Sequence, residues 1–160
     1  MSVRIEMTGV KELVAELDKL DRKMRRKGIR RAVTAAARPL RAAYRARVPV
    51  KHGALRKAID VKVKSYRGGS RIIAIVGARS DYEITVTDRF GNARRIVPNK
   101  YAHLIEFGSK AHTARLGRIT FEHPGTRGTG ALRGAVYQAG PEIERIMIEK
   151  LRETLYDAGS

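Results

Sequence analysis

The first third of the chain carries apolar residues at steps of three and four, which is the period of a helix that buries one face. One run consists of Val10, Leu13, Val14, Leu17, Leu20 and Met24, and a second of Ile29, Ala32, Val33, Ala36, Leu40, Ala43 and Tyr44. We therefore expect two long amphipathic helices over about residues 9–48, with a break or bend between them at the basic stretch 25–28.

Local signals mark the ends of these helices. Thr8 is a suitable N-cap for the first helix, and Pro49 ends the second because a residue before proline avoids the α conformation. Pro39 lacks a backbone donor, so we expect a kink or a restart there. Ahead of both helices, Val3 and Ile5 alternate with polar neighbours and predict a short strand.

From Ile59 onward the apolar period changes to two, which is typical of half-buried strands. The apolar positions of the four predicted strands are Ile59, Val61 and Val63; Ile72, Ile73, Ile75 and Val76; Ile84 and Val86; and Ile96 and Val97. Turns rich in Gly or Asn at 67–70 and 88–92 separate them. We expect an antiparallel meander of about four strands over residues 57–98, with its apolar face covered by the helices.

Two further segments complete the predicted fold. Residues 109–130, which we call the arm, are rich in Gly, Lys, Arg and His and have little apolar periodicity, so they predict a long projecting loop. A C-terminal helix is expected over about 141–157, because Pro141 suits a first helical position and apolar residues follow at helical spacing. Together these elements predict a single α+β domain over residues 1–160.

Charge changes this picture most. The chain has 34 Lys and Arg against 16 Asp and Glu, a net charge of +18. Residues 22–59 contain no acid and 14 of these cations, namely Arg22, Lys23, Arg25, Arg26, Lys27, Arg30, Arg31, Arg38, Arg41, Arg45, Arg47, Lys51, Arg56 and Lys57. Such an excess favours anionic partners and makes binding to them salt-dependent.

Five arginines fall mostly away from the apolar stripe of the second predicted helix: Arg30, Arg31, Arg38, Arg41 and Arg45. They either form a solvated helix face or contact DNA phosphates or an acidic neighbour. Crowding of like charges is costly when nothing neutralises it, so an anionic partner is as well supported as a solvated face. Both interpretations stand.

Sequence motifs for catalysis and cofactor binding are missing. There is no cysteine, no H-E-x-x-H and no G-x-S-x-G, and the glycine-rich stretch 125–130 lacks the Gly-Lys-Ser/Thr ending of a phosphate-binding loop. His103 and Glu106 lie three residues apart, but no second pair has ligand spacing. We expect no catalytic residue, metal or cofactor, and neither a signal peptide nor a membrane span.

Two short motifs resemble those of a known family. Gly53-Ala54-Leu55-Arg56 follows an alanine-rich helix, and Tyr101-Ala102-His103-Leu104-Ile105-Glu106-Phe107-Gly108 follows the predicted strands. In this order they resemble the Thr-Gly-x-Leu-Arg and Tyr-Ala-x-x-Val-Glu-Phe-Gly motifs of the HK97 gp10-like family, tailed-phage proteins of tail completion or head–tail joining. The resemblance starts at the Gly9–Leu13 helix opening and covers most of the chain.

The resemblance implies a virion structural protein of the tail or neck, assembled in the host bacterial cytoplasm. It implies a homo-oligomeric, six-fold ring that surrounds the DNA passage and contacts the tail tube or tail terminator and the head connector. Non-specific contact with packaged DNA is implied as well, and no membrane. Two other hypotheses stay open: a non-specific basic DNA-binding accessory protein, and an enzyme acting on an anionic substrate, for which no site is nominated.

The candidate assembly residues are Tyr101, Ile105, Glu106, Phe107, Gly108 and Phe121. The apolar side chains among them suit either the core or a subunit interface. Glu106 needs a partner if it is buried, and an arginine of the basic segment is the natural candidate. Gly53 and Gly108 are expected to serve backbone geometry, and the arm is expected to order against another subunit.

Overall fold

A computed structural model describes residues 10–87 and 90–159, without the side chains of Val10, Lys11 and Leu116. The helices are α1 (Val10–Asp18), α2 (Arg22–Arg47), α3 (Ala54–Ala58), α4 (Ala102–Phe107) and α5 (Ala131–Gly159). The strands are β1 (Ile59–Tyr66), β2 (Arg71–Ala78), β3 (Ile84–Thr87), β4 (Ala93–Ile96), β5 (Gly108–Ser109), β6 (His112–Leu116), β7 (Ile119–His123) and β8 (Thr126–Arg127). The mixture confirms the α+β class.

A few expectations lie outside the described residues. These are the strand at Val3 and Ile5, the N-cap at Thr8, and Asp88 and Arg89 of the predicted turn.

The long helices α2 and α5 pack along each other and enclose most of the core. Small side chains line the contact, including the fully buried Ala32 on α2 and Ala135 on α5. At the closest point, a Cβ placed on Gly28 would lie 2.1 Å from Cγ2 of Thr154. The two backbones therefore approach so closely that only a glycine fits at this position.

The core has two clusters along this helix pair. The larger one joins α2 and α5 to α3 and β1 and includes Tyr44, Leu55 and Ile59. The smaller one, around Leu17 and Leu151, fixes α1 on the same pair of helices. Burial of a leucine side chain of this kind stabilises a fold by about 2 kcal/mol.

The predicted break at residues 25–28 is wrong. The chain leaves the helix after Asp18, and α2 starts at Arg22, where the N-cap Asp21 accepts a hydrogen bond from the backbone nitrogen of Lys23 at 2.8 Å. Gly28 lies inside α2 because its missing side chain is needed for packing against α5. The helix also runs through Pro39 without a restart.

The predicted four-stranded meander is wrong as well. In the described chain β1 pairs with β2 and β3 with β4, each as a separate antiparallel hairpin. The β1–β2 hairpin packs on α2. Apolar alternation shows which face of a strand is buried, but it carries no information on which strand lies next to it, and this is why the expectation failed.

The C-terminal third is more regular than predicted. Helix α5 begins at Ala131 and includes Pro141, so the expected start at Pro141 is wrong by ten residues. The arm consists of two antiparallel pairs: β5 with β8 at its base, and β6 with β7, which we call the arm hairpin. Among the described helices, none is both long and apolar enough to cross a membrane.

Candidate functional site

The two sequence motifs lie close together in the structure. Leu55 of α3 is buried in the larger core cluster, and Tyr101 and Ile105 pack against that cluster from the other motif. Together with β4 they line a groove of about 850 Å³, which we call the motif groove. The cations in its lining are Lys51, Arg94, Arg95 and Lys100.

Glu106 caps the first turn of α5. Its Oε2 accepts a hydrogen bond from the backbone nitrogen of Leu132 at 2.7 Å, and its Oε1 accepts one from that of Arg133 at 3.1 Å. The first N–H groups of a helix have no partner within the helix, and a carboxylate suits both their donors and the positive end of the helix dipole. The structure thus places backbone donors where the sequence suggested an arginine.

Backbone hydrogen bonds reinforce this junction. The nitrogen of Thr129 donates to the carbonyl oxygen of Ile105 at 2.8 Å, and that of Gly130 donates to the carbonyl oxygen of Glu106 at 3.2 Å. The last two residues of the arm are therefore joined to the residues that precede it. This closes the arm into a loop with a fixed base.

Two tyrosines beside the junction have perturbed acidity. Burial raises the pKa of Tyr44 above its ordinary value, and the negative charge of Glu106 raises it further. Burial also raises the pKa of Tyr101. Both phenols therefore stay protonated to a higher pH than an ordinary tyrosine does.

Gly108 lets the arm leave α4 at a sharp angle. Its φ is 77° and its ψ is −170°, a combination that essentially only glycine adopts. A Cβ placed there would lie 2.1 Å from the carbonyl oxygen of Thr126. Gly53, with φ of 68°, is the N-cap of α3. The expectation that these glycines serve backbone geometry is confirmed.

The arm hairpin has an apolar face and a polar face. The register pairs His112 with His123 and Ala114 with Phe121, so these four side chains and Ile119 share one face. Ile119 is 67% exposed and Phe121 is 43% exposed. Since a lone two-stranded hairpin is marginally stable in water, this apolar face, which we call the arm face, suits burial against a partner.

The opposite face of the hairpin carries Thr113, Arg115, Thr120 and Glu122, and Oγ1 of Thr113 donates to Glu122 across the strands at 2.7 Å.

Two histidines stack where the arm hairpin joins its base. The ring centroids of His112 and His123 lie 5.0 Å apart with 25° between the ring planes. Nδ1 of His112 donates to the carbonyl oxygen of Lys110 at 2.9 Å, and Nδ1 of His123 accepts from the backbone nitrogen of Gly125 at 3.0 Å. Within the described residues, no three His, Asp or Glu side chains are placed to share a metal ion.

The candidate assembly residues divide into two groups. Tyr101, Ile105 and Glu106 face the body of the protein, as described above. Phe107 is 62% exposed, and its neighbour Leu104 is 42% exposed. Phe121, on the arm face, is exposed as well.

The five arginines proposed as anion contacts also divide. Arg45 donates twice to the carbonyl oxygen of Ile59, at 2.6 and 2.9 Å, and Arg41 pairs with Asp60 at 2.9 Å. These two side chains fasten α2 to β1.

The other three are less tightly held. Arg31 lies 3.6 Å from Glu153 and 3.7 Å from Asp157 of α5. Arg30 donates to Oγ of Ser65 at 3.3 Å. Arg38 is exposed and is joined to none of the described residues by a hydrogen bond or ion pair.

Sequence reasoning missed the cap on α5 and the early start of that helix. The cap uses backbone donors, which leave no mark on residue type. The early start has a signal, because Ala131, Ala135, Ala139 and Ile143 recur at every fourth position and all are buried.

The geometry defines a small α+β protein with a rigidly based, partly apolar arm, a form suited to contact with other chains. A family model matches residues 11–108, and its description reads "Bacteriophage HK97-gp10, putative tail-component". The chain therefore belongs to the HK97-gp10-like family of bacteriophage tail components. No curated protein and no solved structure shows significant similarity to it.

Proposed function

We propose that the chain is a tail-completion or neck component that assembles into a homo-oligomeric ring through its arm. The observation that carries this proposal is the arm face, an apolar surface that projects from a base tied to α4 and α5 by Glu106 and by the pairing of β5 with β8. Membership of a family of tail components supports the virion as the setting.

The exposure of the arm face supports an assembly role. Phe121 and Ile119 lie on a two-stranded hairpin that buries little surface of its own. Apolar side chains that cluster on a protruding element are typical of protein–protein interfaces. Leu104 and Phe107, which precede the arm in the chain, are further exposed apolar side chains.

Contact through a projecting arm favours a ring. An arm that reaches from one copy onto a different surface of the next makes a head-to-tail contact, and such contacts close into rings when the rotation between copies permits. The family resemblance implies six copies. We place this ring at the junction of the tail with the head connector, surrounding the passage of the DNA and touching the tail tube or tail terminator.

Assembly in the host bacterial cytoplasm and location in the tail or neck of the virion belong to the same proposal. So does non-specific contact with the packaged DNA, for which the net charge of +18 is the support.

The proposal is tested by the solution mass of two matched variants. Ile119→Thr with Phe121→Thr makes the arm face polar. The control, Val50→Thr with Tyr137→Thr, removes apolar groups that are 58% and 80% exposed away from the arm. Light scattering should give an oligomer for the wild type and the control, and a folded monomer for the arm variant. An oligomer of unchanged mass in the arm variant contradicts the proposal.

A second candidate function, a non-specific DNA-binding accessory protein, is favoured by the acid-free run of cations between residues 22 and 59. It predicts a wild-type chain that stays monomeric at all concentrations and that binds duplex DNA at low salt and releases it at high salt. A discrete oligomer without DNA favours the ring instead.

A further inference from the structure

Exposed cations lie at the closed end of the β1–β2 hairpin, beside the first turns of α2. Arg22, Arg26 and Arg30 recur at every fourth position of α2, so they follow one line along the helix surface. Arg67 belongs to the turn of the hairpin next to them. The neighbouring Lys64 and Arg71 lie on the hairpin face opposite Ser65, which contacts α2, and are not included. We call Arg22, Arg26, Arg30 and Arg67, all of them exposed, the tip patch.

Contacts between the helix and the hairpin hold the patch together. One guanidinium nitrogen of Arg22 donates to the carbonyl oxygen of Gly68 at 3.3 Å, and one of Arg30 donates to Oγ of Ser65 at 3.3 Å. A Cβ placed on Gly69 would lie 2.3 Å from Cδ of Arg26, so the turn rests on that side chain. The three arginines thus lie against the end of the hairpin.

Ion pairs compensate other basic side chains of α2. Arg25 pairs with Asp18 at 2.8 Å, Arg41 pairs with Asp60 at 2.9 Å, and Arg31 lies near two carboxylates of α5. Within the described chain, no carboxylate pairs with any side chain of the tip patch. The positive charge of the tip patch is therefore available to an anionic partner.

We propose that the tip patch binds the sugar-phosphate backbone of duplex DNA without reading its sequence. This inference rests on the proposed function, which brings the phage genome past the protein. Guanidinium groups bind phosphate oxygens through paired N–H donors. In Arg22 and Arg30 one donor is used to orient the side chain against the hairpin, and the other donors remain for phosphate.

Binding through phosphate groups also explains why the patch does not select a DNA sequence. Contacts to phosphate position a protein on DNA but carry no information on the bases. Binding of this kind weakens steeply with salt, because each neutralised phosphate releases condensed counterions. Of the five arginines suggested by the helix pattern, only Arg30 contacts the end of the hairpin. Arg41 and Arg45 are engaged with β1, Arg31 lies near carboxylates of α5, and Arg38 lies farther along α2.

The test compares two triple variants of the full chain that have the same net charge. The tip variant is Arg22→Gln, Arg26→Gln and Arg30→Gln. The control is Lys57→Gln, Arg79→Gln and Arg152→Gln, three exposed cations that lie elsewhere. Fluorescence anisotropy with a mixed-sequence 30-base-pair duplex, over a series of NaCl concentrations, gives the affinity and its salt dependence.

For the tip variant we expect the slope of log K against log salt to fall in magnitude by about 2.7, which is about 0.9 for each of three lost phosphate contacts. Affinity at low salt should then fall by a factor on the order of 100 or more. The control should keep the wild-type slope within about 1, and its affinity within about tenfold. A second tip variant, Arg67→Gln alone, changes no side chain of α2 and should lower the magnitude of the slope by about 0.9.

The inference is overturned if the tip and control variants lose affinity equally, because binding then follows net charge alone. It is also overturned if the wild type does not bind the duplex at low salt. Light scattering on the same samples separates this result from the proposed function. A tip variant that assembles normally but keeps wild-type DNA affinity refutes the patch and leaves the ring intact.

Discussion

Oε2 of Glu106 lies 2.7 Å from the backbone nitrogen of Leu132, which is 26 residues farther along the chain. The segment between these two residues is the arm, so a single carboxylate joins the point where the arm leaves the body to the helix where it returns. The segment 101–108 thereby acts as a structural clasp for the arm. The carbonyl oxygen of Ile105 supports the clasp by accepting from the backbone nitrogen of Thr129, whereas Leu104 and Phe107 are exposed.

Removing the clasp should destabilise the protein in a graded way. Glu106→Ala removes both acceptors from the first turn of α5 and should lower the free energy of unfolding by about 1–2 kcal/mol. Glu106→Gln keeps one acceptor oxygen and should cost about half as much. Urea unfolding followed by circular dichroism measures both. Glu122→Ala, which removes a carboxylate from the exposed arm hairpin, is the control and should change stability by less than about 0.5 kcal/mol.

The contact between α2 and α5 should not tolerate a methyl group at Gly28. Gly28→Ala places a Cβ 2.1 Å from Cγ2 of Thr154. The resulting overpacking should outweigh the better helix propensity of alanine and lower stability by about 1–2 kcal/mol. Thr154→Ala removes the two closest atoms and leaves only a contact at 2.9 Å, so it should at least halve the cost. An equal cost in both backgrounds, measured by a double-mutant cycle, would refute this packing.

Replacing glycine by alanine should destabilise the protein far more at the base of the arm than in the turn of the arm hairpin. Gly108→Ala combines a backbone conformation reserved for glycine with a clash against the carbonyl oxygen of Thr126, and should cost about 2–3 kcal/mol. Gly117, in the turn of the arm hairpin, also has a positive φ of 62° but has open space around it. Gly117→Ala should therefore cost only about 1 kcal/mol. Thermal unfolding of the two variants provides the comparison, and equal melting temperatures would count against the close approach at Gly108.

Asp60 should make part of the stability depend on acid pH. The backbone N–H of Val61 and then the guanidinium of Arg41, both hydrogen-bonded to the carboxylate, hold the pKa of Asp60 below its ordinary value. A lowered pKa in the folded state means that this contribution is present above the unfolded pKa of about 4 and is lost as pH falls through the folded value. Because both side chains are partly exposed, it should amount to about 0.5–1 kcal/mol.

Asp60→Asn should therefore be less stable than the wild type at pH 7, and the difference should shrink as the pH falls below about 4. Urea unfolding at pH 7 and pH 3 measures this. A difference that stays constant between the two pH values would show that the ionised carboxylate is not its source.

The parts of the fold that sequence reasoning reached are those determined by local burial. The apolar stripes of α1 and α2 and the alternation along β1 and β2 reflect which residues face the core, and these elements formed as expected. The break before α2 was misplaced because Gly28 resembles a helix terminator, whereas its role depends on Thr154 of a distant helix.

In the candidate site, too, features set by local burial could be predicted and those set by distant contacts could not. Tyr101 and Ile105 could be assigned to an apolar environment from residue type. The partners of Glu106 could not, because backbone N–H groups are common to every residue except proline. Likewise, the sequence shows 14 cations without an acid between residues 22 and 59, but only the fold shows which of them pair with carboxylates of α1, β1 and α5.

Thiol labelling can detect whether the arm face is buried between copies of the chain. The chain contains no cysteine, so Ala114→Cys on the arm face and Thr120→Cys on the opposite face each introduce a single thiol. The rate of reaction with a maleimide is measured for both over a range of protein concentrations. Ala114→Cys should become protected as the concentration rises, while Thr120→Cys should stay reactive. Equal reactivity of the two thiols in an assembled oligomer would contradict burial of the arm face.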